Sequence, residues 1–178
     1  PPDRPWFLVL NFTGPHSPMD ITQSMEPSCR GRQYPPPFEG QEFDAATHQA
    51  IRQNYGAMIE NIDRWLGRFV EELRRRGELE RTLIVFSSDH GEMLGDHNRW
   101  GKTLPYHASV GVPLVVAGPG VKRQPESKAL VSHIDLAATF LDYAKSQPLA
   151  DADSRTLRPV LEGRVKSHRE FVRSGLND

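Results

Sequence analysis

One cysteine, Cys29, in 178 residues excludes an intrachain disulfide framework and any zinc site built from several thiolates. An excess of either charge is also missing, since 22 Lys and Arg stand against 23 Asp and Glu for a formal net charge of -1. Without a broad basic field, nucleic-acid binding by general electrostatics is not expected. Long apolar runs are absent too. The longest stretches, Trp6–Leu10 and Val112–Ala117, fall far short of the roughly 20 residues a membrane-spanning helix needs, and neither follows a basic leader. No internal repeat is visible, and an initiator methionine is lacking. The opening Pro1-Pro2-Asp3-Arg4-Pro5 runs at once into a strand-like segment, which predicts a piece of a longer protein and leaves localisation open.

What is present suits one domain, or part of one, because 37% hydrophobic residues over this length can fill a single core. Trp6-Phe7-Leu8-Val9-Leu10-Asn11-Phe12 is a near-continuous apolar run bounded by prolines and glycine, the pattern of a central strand buried on both faces. Residues 17–42 carry five prolines and two glycines with no periodicity, predicting a long irregular excursion, read as lying over a substrate entrance. Asp44 is placed to cap a helix whose apolar positions Ile51, Tyr55, Met58, Ile62, Trp65, Phe69 and Leu73 recur every three or four residues until Gly77. Thr82–Ser88 and Pro113–Ala117 read as two further buried strands, and His133-Ile134-Asp135 opens a shorter amphipathic helix through Phe140 and Leu141. This order predicts an α/β fold, a mostly parallel sheet flanked by helices.

Two polar clusters follow the first two predicted strands, Thr13-Gly14-Pro15-His16-Ser17-Pro18 and Ser88-Asp89-His90-Gly91-Glu92. Ligands bind at the carboxyl ends of strands in open parallel sheets, so both clusters are expected at one crevice. Asp89 offers a carboxylate oxygen and His90 an imidazole nitrogen to a cation, although an isolated Asp-His-Gly is more often a surface turn. His16, stiffened by Pro15 and Pro18, is of a type that donates to an anionic ester or protonates a leaving group. Lys102 supplies a point charge for a tetrahedral anion, where a solvated lysine is the ordinary alternative. Asp96 and His97 rank lower, as loop hydrogen-bonding residues or supports for Asp89. Asp63 reads as bonding the backbone, and Arg74, Arg75 and Arg76 as charges suited to a helix C-terminus. His48 reads as exposed, Cys29 as a plain loop thiol, and His107, His133 and His168 as structural residues.

In combination, Phe7 to Pro18, the helix bearing Tyr55, Asp63 and Gly67, Thr82 to Glu92, Gly95-Asp96-His97, Trp100-Gly101-Lys102 and Val112-Pro113-Leu114 resemble the sulfatase family of the alkaline-phosphatase superfamily. Ser132-His133-Ile134-Asp135 with Thr139-Phe140-Leu141, and Leu157 to Gly163, continue the resemblance in order. It implies an alkaline-phosphatase-like fold and hydrolysis of sulfate monoesters of a small molecule or carbohydrate. Carried over by residue, Asp89 and His90 become ligands of a divalent cation, calcium expected and manganese the alternative given an imidazole ligand. His16 and Lys102 become the catalytic and sulfate-binding contacts. The family's paired-aspartate strand and its Cys or Ser two residues before Pro and four before Arg, the precursor of formylglycine, do not occur in this sequence, and Cys29 does not fit that motif. The resemblance therefore implies that residues 1–178 form part of a sulfatase-like catalytic domain without its nucleophile half, inactive alone. The alternatives are a phosphonate or phosphate ester hydrolase of the same superfamily and a noncatalytic anion-binding module.

Overall fold

The computed structural model describes residues 4–124 and 126–175; the opening Pro1-Pro2-Asp3 lies outside the described residues. Two compact units make up the chain, residues 1–72 with 93–101, and residues 73–92 with 102–178.

The first unit is built on one long helix. After the one-turn α1 (Glu26–Cys29), the helix α2 runs over Ala45–Arg75. Asp44 caps it as the sequence predicts, its Oδ1 accepting from Thr47 N at 2.8 Å, which satisfies one of the helix's orphan amide donors. Gly77, at φ 66°, follows its end. The excursion over 17–42 has no ladder to satisfy its backbone, and side chains of α2 do so instead. Gln49 and Gln53 both donate to Arg32 O at 2.7 Å, Gln49 Oε1 accepts from Tyr34 N, and Asn54 donates to Met19 O. Arg32 also pairs with Glu60.

Three expectations fail in this unit. Trp6–Phe12 forms no strand, and its side chains stay exposed, Phe7 by 69%. A strand exists only by pairing with a neighbour, and the described residues of this unit contain no strand to pair with. His48 is buried rather than exposed, its ring stacked on Trp100 with centroids 5.9 Å apart and the planes within 7°. Cys29, read as a loop thiol, ends α1, buried, with Sγ donating to Glu26 O.

The second unit contains the sheet. β1 (Ile84–Ser87) and β2 (Leu114–Ala117) pair with Ile84 opposite Ala117 and Ser87 opposite Leu114. They are antiparallel, correcting the parallel expectation for this pair. A parallel return needs a covering crossover, whereas between these strands the only α-helix among the described residues is the four-residue α3 (His107–Val110). Beyond β2, α4 (Ile134–Tyr143) packs on α5 (Arg158–Leu161). Leu157, Val160, Thr139 and Asp135 are buried between them. The Thr139 hydroxyl links the layers, donating to Asp135 O at 2.6 Å while accepting from Leu157 N at 2.8 Å.

Candidate active site

The second unit's candidate site begins where β1 ends. The Ser88 hydroxyl donates to His90 O at 2.7 Å, and Asp89 Oδ1 accepts from His90 N at 3.1 Å, closing a tight turn. Gly91 carries the turn under α3. Its N donates to Ser109 O at 2.7 Å, and a Cβ there would lie 2.0 Å from Ala108 O, so no larger residue fits without moving the backbone.

This turn presents Asp89 outward, its side chain 86% exposed, with Oδ2 3.6 Å from His90 Nε2. The hydrogen-bond roles of the imidazole are set by its partners: Gly91 O can only accept, so Nδ1 donates to it at 2.8 Å, and an ammonium can only donate, so Nε2 accepts from Lys102 Nζ at 2.7 Å. Burial pushes the Asp89 carboxyl up. The neighbouring His90, the His90 backbone N–H and the Lys102 ammonium outweigh it and hold the group below its ordinary value. The carboxylate is therefore ionised at neutral pH.

Asp89 and His90 fit one side of a divalent-cation site. Adjacent ligands of one ion stand about 3 Å apart when each bond is 2.0–2.6 Å long, close to the Oδ2–Nε2 separation. A cation would take the Nε2 lone pair that the Lys102 ammonium occupies in this structure, so the ammonium would have to move off it. Among the described residues no group of three or more His, Cys, Asp and Glu could hold a metal by itself; Asp89 and His90 are a pair of candidate donors.

His16 belongs to the first unit, in the turn after the extended segment. Its backbone N donates to Thr13 O at 3.3 Å and its Nδ1 donates to Ser17 O at 2.7 Å. The ring is exposed, leaving Nε2 as the atom able to hold a proton toward a reactant. Beside this turn, Phe12, Gly14, Met25, Met58, Ile62 and Trp65 line an apolar groove of about 400 Å³.

Asp96 and His97, also in the first unit, are absorbed by the excursion. Asp96 Oδ1 accepts from Phe38 N and Arg52 at 2.9 Å, and His97 Nδ1 meets Glu39 at 3.0 Å. They serve as loop hydrogen-bonding residues, the first of the two lower-ranked readings.

The sulfatase family model matches residues 1–146. The chain belongs to the sulfatase family. An arylsulfatase of Clostridium perfringens is 28% identical over 96% of this chain and 40% of its own length. Among solved structures, one in complex with its substrate D-glucosamine-2-N,6-O-disulfate superposes with TM-score 0.65 and 31% identity, covering 71% of this chain and 26% of that one. A phosphonate monoester hydrolase from Silicibacter pomeroyi superposes with TM-score 0.67 and 33% identity over 83% and 29%. The sulfatase chain thus has the alkaline-phosphatase-like α/β fold as a partial unit, and it spans well under half the length of each of these proteins.

His133, read from the sequence as a structural residue without a partner, lies against the end of β1, and Arg169, given no role in the sequence reading, clamps Asp135. Neither has a local signal. The separations of 46 residues from Ser87 and 34 from Asp135 carry no periodicity, and only the tertiary fold closes them.

Proposed function

We propose that this chain is part of a metal-dependent sulfuric ester hydrolase acting on sulfate monoesters of carbohydrates, with Asp89 and His90 as metal ligands, Lys102 as a sulfate contact and His16 as the leaving-group residue. The observation that carries the reading is the Asp89–His90–Lys102 cluster, an ionised carboxylate 3.6 Å from an imidazole nitrogen that accepts from an ammonium at 2.7 Å, in a chain of the sulfatase family. The glucosamine disulfate bound by a structural neighbour favours a sulfated sugar.

Asp89 and His90 would hold the divalent cation, calcium or manganese, which when bound acts as a Lewis acid on the sulfuryl oxygens. Lys102 is a fixed point charge for a non-bridging oxygen, strengthening as charge develops there in the transition state. His16, with Nδ1–H committed to Ser17 O, would act as the imidazolium, giving its Nε2 proton to the departing alcohol oxygen and becoming the neutral ring. The nucleophile, formylglycine in the family resemblance, is not among these 178 residues, so the chain by itself is expected to be inactive.

The test is an assay of the intact protein on a glucosamine 6-sulfate and an aryl sulfate, before and after chelation and with calcium or manganese restored. Metal-dependent hydrolysis is expected. No turnover of either ester, or turnover unaffected by chelation, overturns the proposal. A second reading, phosphonate monoester hydrolysis, is favoured by the 33% identity to the Silicibacter pomeroyi enzyme; a higher kcat/KM on phosphonate than on sulfate monoesters would select it. The noncatalytic alternative predicts tight stoichiometric binding of cation and sulfate by calorimetry with no hydrolysis.

A further inference from the structure

We propose that His133 is a positioning residue for the Asp89–His90 turn, acting through the hydroxyl of Ser87. The inference rests on the reading of that turn as the cation-binding part of the site. Ser87 is the last residue of β1, and its Oγ makes two hydrogen bonds of 2.8 Å, to Pro113 O and to His133 Nε2. A hydroxyl has one proton, and a carbonyl can only accept, so the proton goes to Pro113 and the oxygen lone pair accepts from His133 Nε2–H. One side chain thereby joins three segments: the end of β1, the residue before β2, and the start of α4.

The anchor on the α4 side is firm. Asp135, two residues after His133, is fully buried. Its carboxylate accepts from Ser132 N and Arg155 N at 3.0 Å, from Arg169 Nε at 2.8 Å, and from a second Arg169 nitrogen, with His168 Nε2 3.2 Å away. His133 is therefore presented from a fixed base. Its ring is exposed, so burial does not account for its placement.

Downstream, the chain passes from Ser87 straight into Ser88, whose hydroxyl closes on His90 O, then Asp89, His90 and Gly91, which Ser109 holds. The turn is thus fixed at its far end by Ser109 and at its near end by the Ser87 link. Without His133 the near end keeps the pairing of Ser87 with Leu114 and the bond to Pro113 O but loses its restraint from α4, so Asp89 and His90 are less firmly oriented. Groups that orient ligands in this indirect way commonly change metal affinity or activity by about 10–100-fold when removed.

The experiment uses the intact protein labelled with 15N-histidine. His133→Ala is expected to shift the His90 side-chain resonances in metal-free protein and to lower kcat/KM about 10-fold. His133→Gln, whose amide N–H can donate to Ser87 Oγ, should return both readouts most of the way to wild type. Ser87→Ala should reproduce the loss, and the double variant should lose no more than the worse single one, because both remove the same link. Unmoved His90 resonances in His133→Ala, or losses that multiply in the double variant, overturn the assignment, whatever the change in Tm. Wild-type protein that hydrolyses no sulfate ester would instead overturn the proposed function, and the resonance comparison would still decide the role of His133.

Discussion

The same dipeptide occurs twice within ten residues, as Asp89-His90 and as Asp96-His97, and the two copies meet opposite fates. Asp96 is drawn into the first unit, its side chain 26% exposed, accepting from the Arg52 guanidinium and from Phe38 N. His97 sits at φ 54° with its ring edge-on to Phe38 at 5.2 Å and its Nδ1 against Glu39. Asp89 keeps Oδ2 turned outward, with a lysine rather than an arginine close by, and His90 offers its nitrogen lone pair to that lysine. A carboxylate already gripped by a guanidinium and an amide has little left for a ligand. A carboxylate held only by its own turn is ready to bind. The two carboxylates differ in whether neighbours satisfy them first, whereas both imidazoles are hydrogen-bonded, His90 to Gly91 O and Lys102 and His97 to Glu39.

Breaking the chemical copy should have the largest effect. Asp89→Ala in the intact protein is expected to lower kcat/KM by about 10³-fold, with Tm nearly unchanged because the side chain is exposed; steady-state kinetics beside a thermal melt would check it. Lys102→Ala should cost about 10²-fold in kcat/KM, and Lys102→Arg should recover little, because a planar fork does not replace a point charge. Retained activity in either lysine variant would remove Lys102 from the reaction centre.

Breaking the structural copy should invert the pattern. Asp96→Ala leaves Phe38 N without its partner and Arg52 without its carboxylate, keeping only Leu94 O, and should destabilise by about 2 kcal/mol in a denaturant melt, with kcat/KM within a few-fold of wild type. A drop comparable to that of Asp89→Ala would put Asp96 into the chemistry and collapse the distinction.

A third carboxylate, Asp135, sharpens the comparison because it is buried outright. Burial pushes its pKa up, but Arg169 and the N–H groups of Ser132 and Arg155 outweigh burial and bring it to about 2, against an ordinary value of 3.8. A folded-state pKa below the unfolded one means stability that is fully present above pH 4 and lost as the pH falls toward 2. The loss should amount to about 2 kcal/mol and be read as a falling denaturation midpoint. Asp135→Asn should flatten that acid limb. The smallest effect is expected for Glu39→Gln, whose side chain is 67% exposed beside His97. It should change stability by less than about 0.5 kcal/mol.

Much of the fold can be read from residues alone where the signal is local. The Asp44 cap, the stripe from Ile51 to Leu73 and the stop at Gly77 predict α2, since capping and period 3.6 act within a few residues. Thr82–Ser88 and Pro113–Ala117 predict β1 and β2 for the same reason. Trp6–Phe12 is as good a strand pattern as either and forms none, because its pairing depends on a partner that the run itself does not encode. The parallel expectation failed likewise, since strand direction follows from the connection between strands. Asp89, His90 and Lys102 are nominated by type and spacing, while Lys102 Nζ on His90 Nε2 is a fact of loop closure over 12 residues.

Composition and motif order determined the family, the long helix, the two short strands and the residue types available for chemistry, because each is written in neighbouring positions. Which aspartate is left outward, which histidine supports the turn from a distance, and whether an apolar run becomes a strand were decided by tertiary structure alone. Hydrogen bonds between remote segments choose their partners by geometry, and that geometry exists only once the chain has closed.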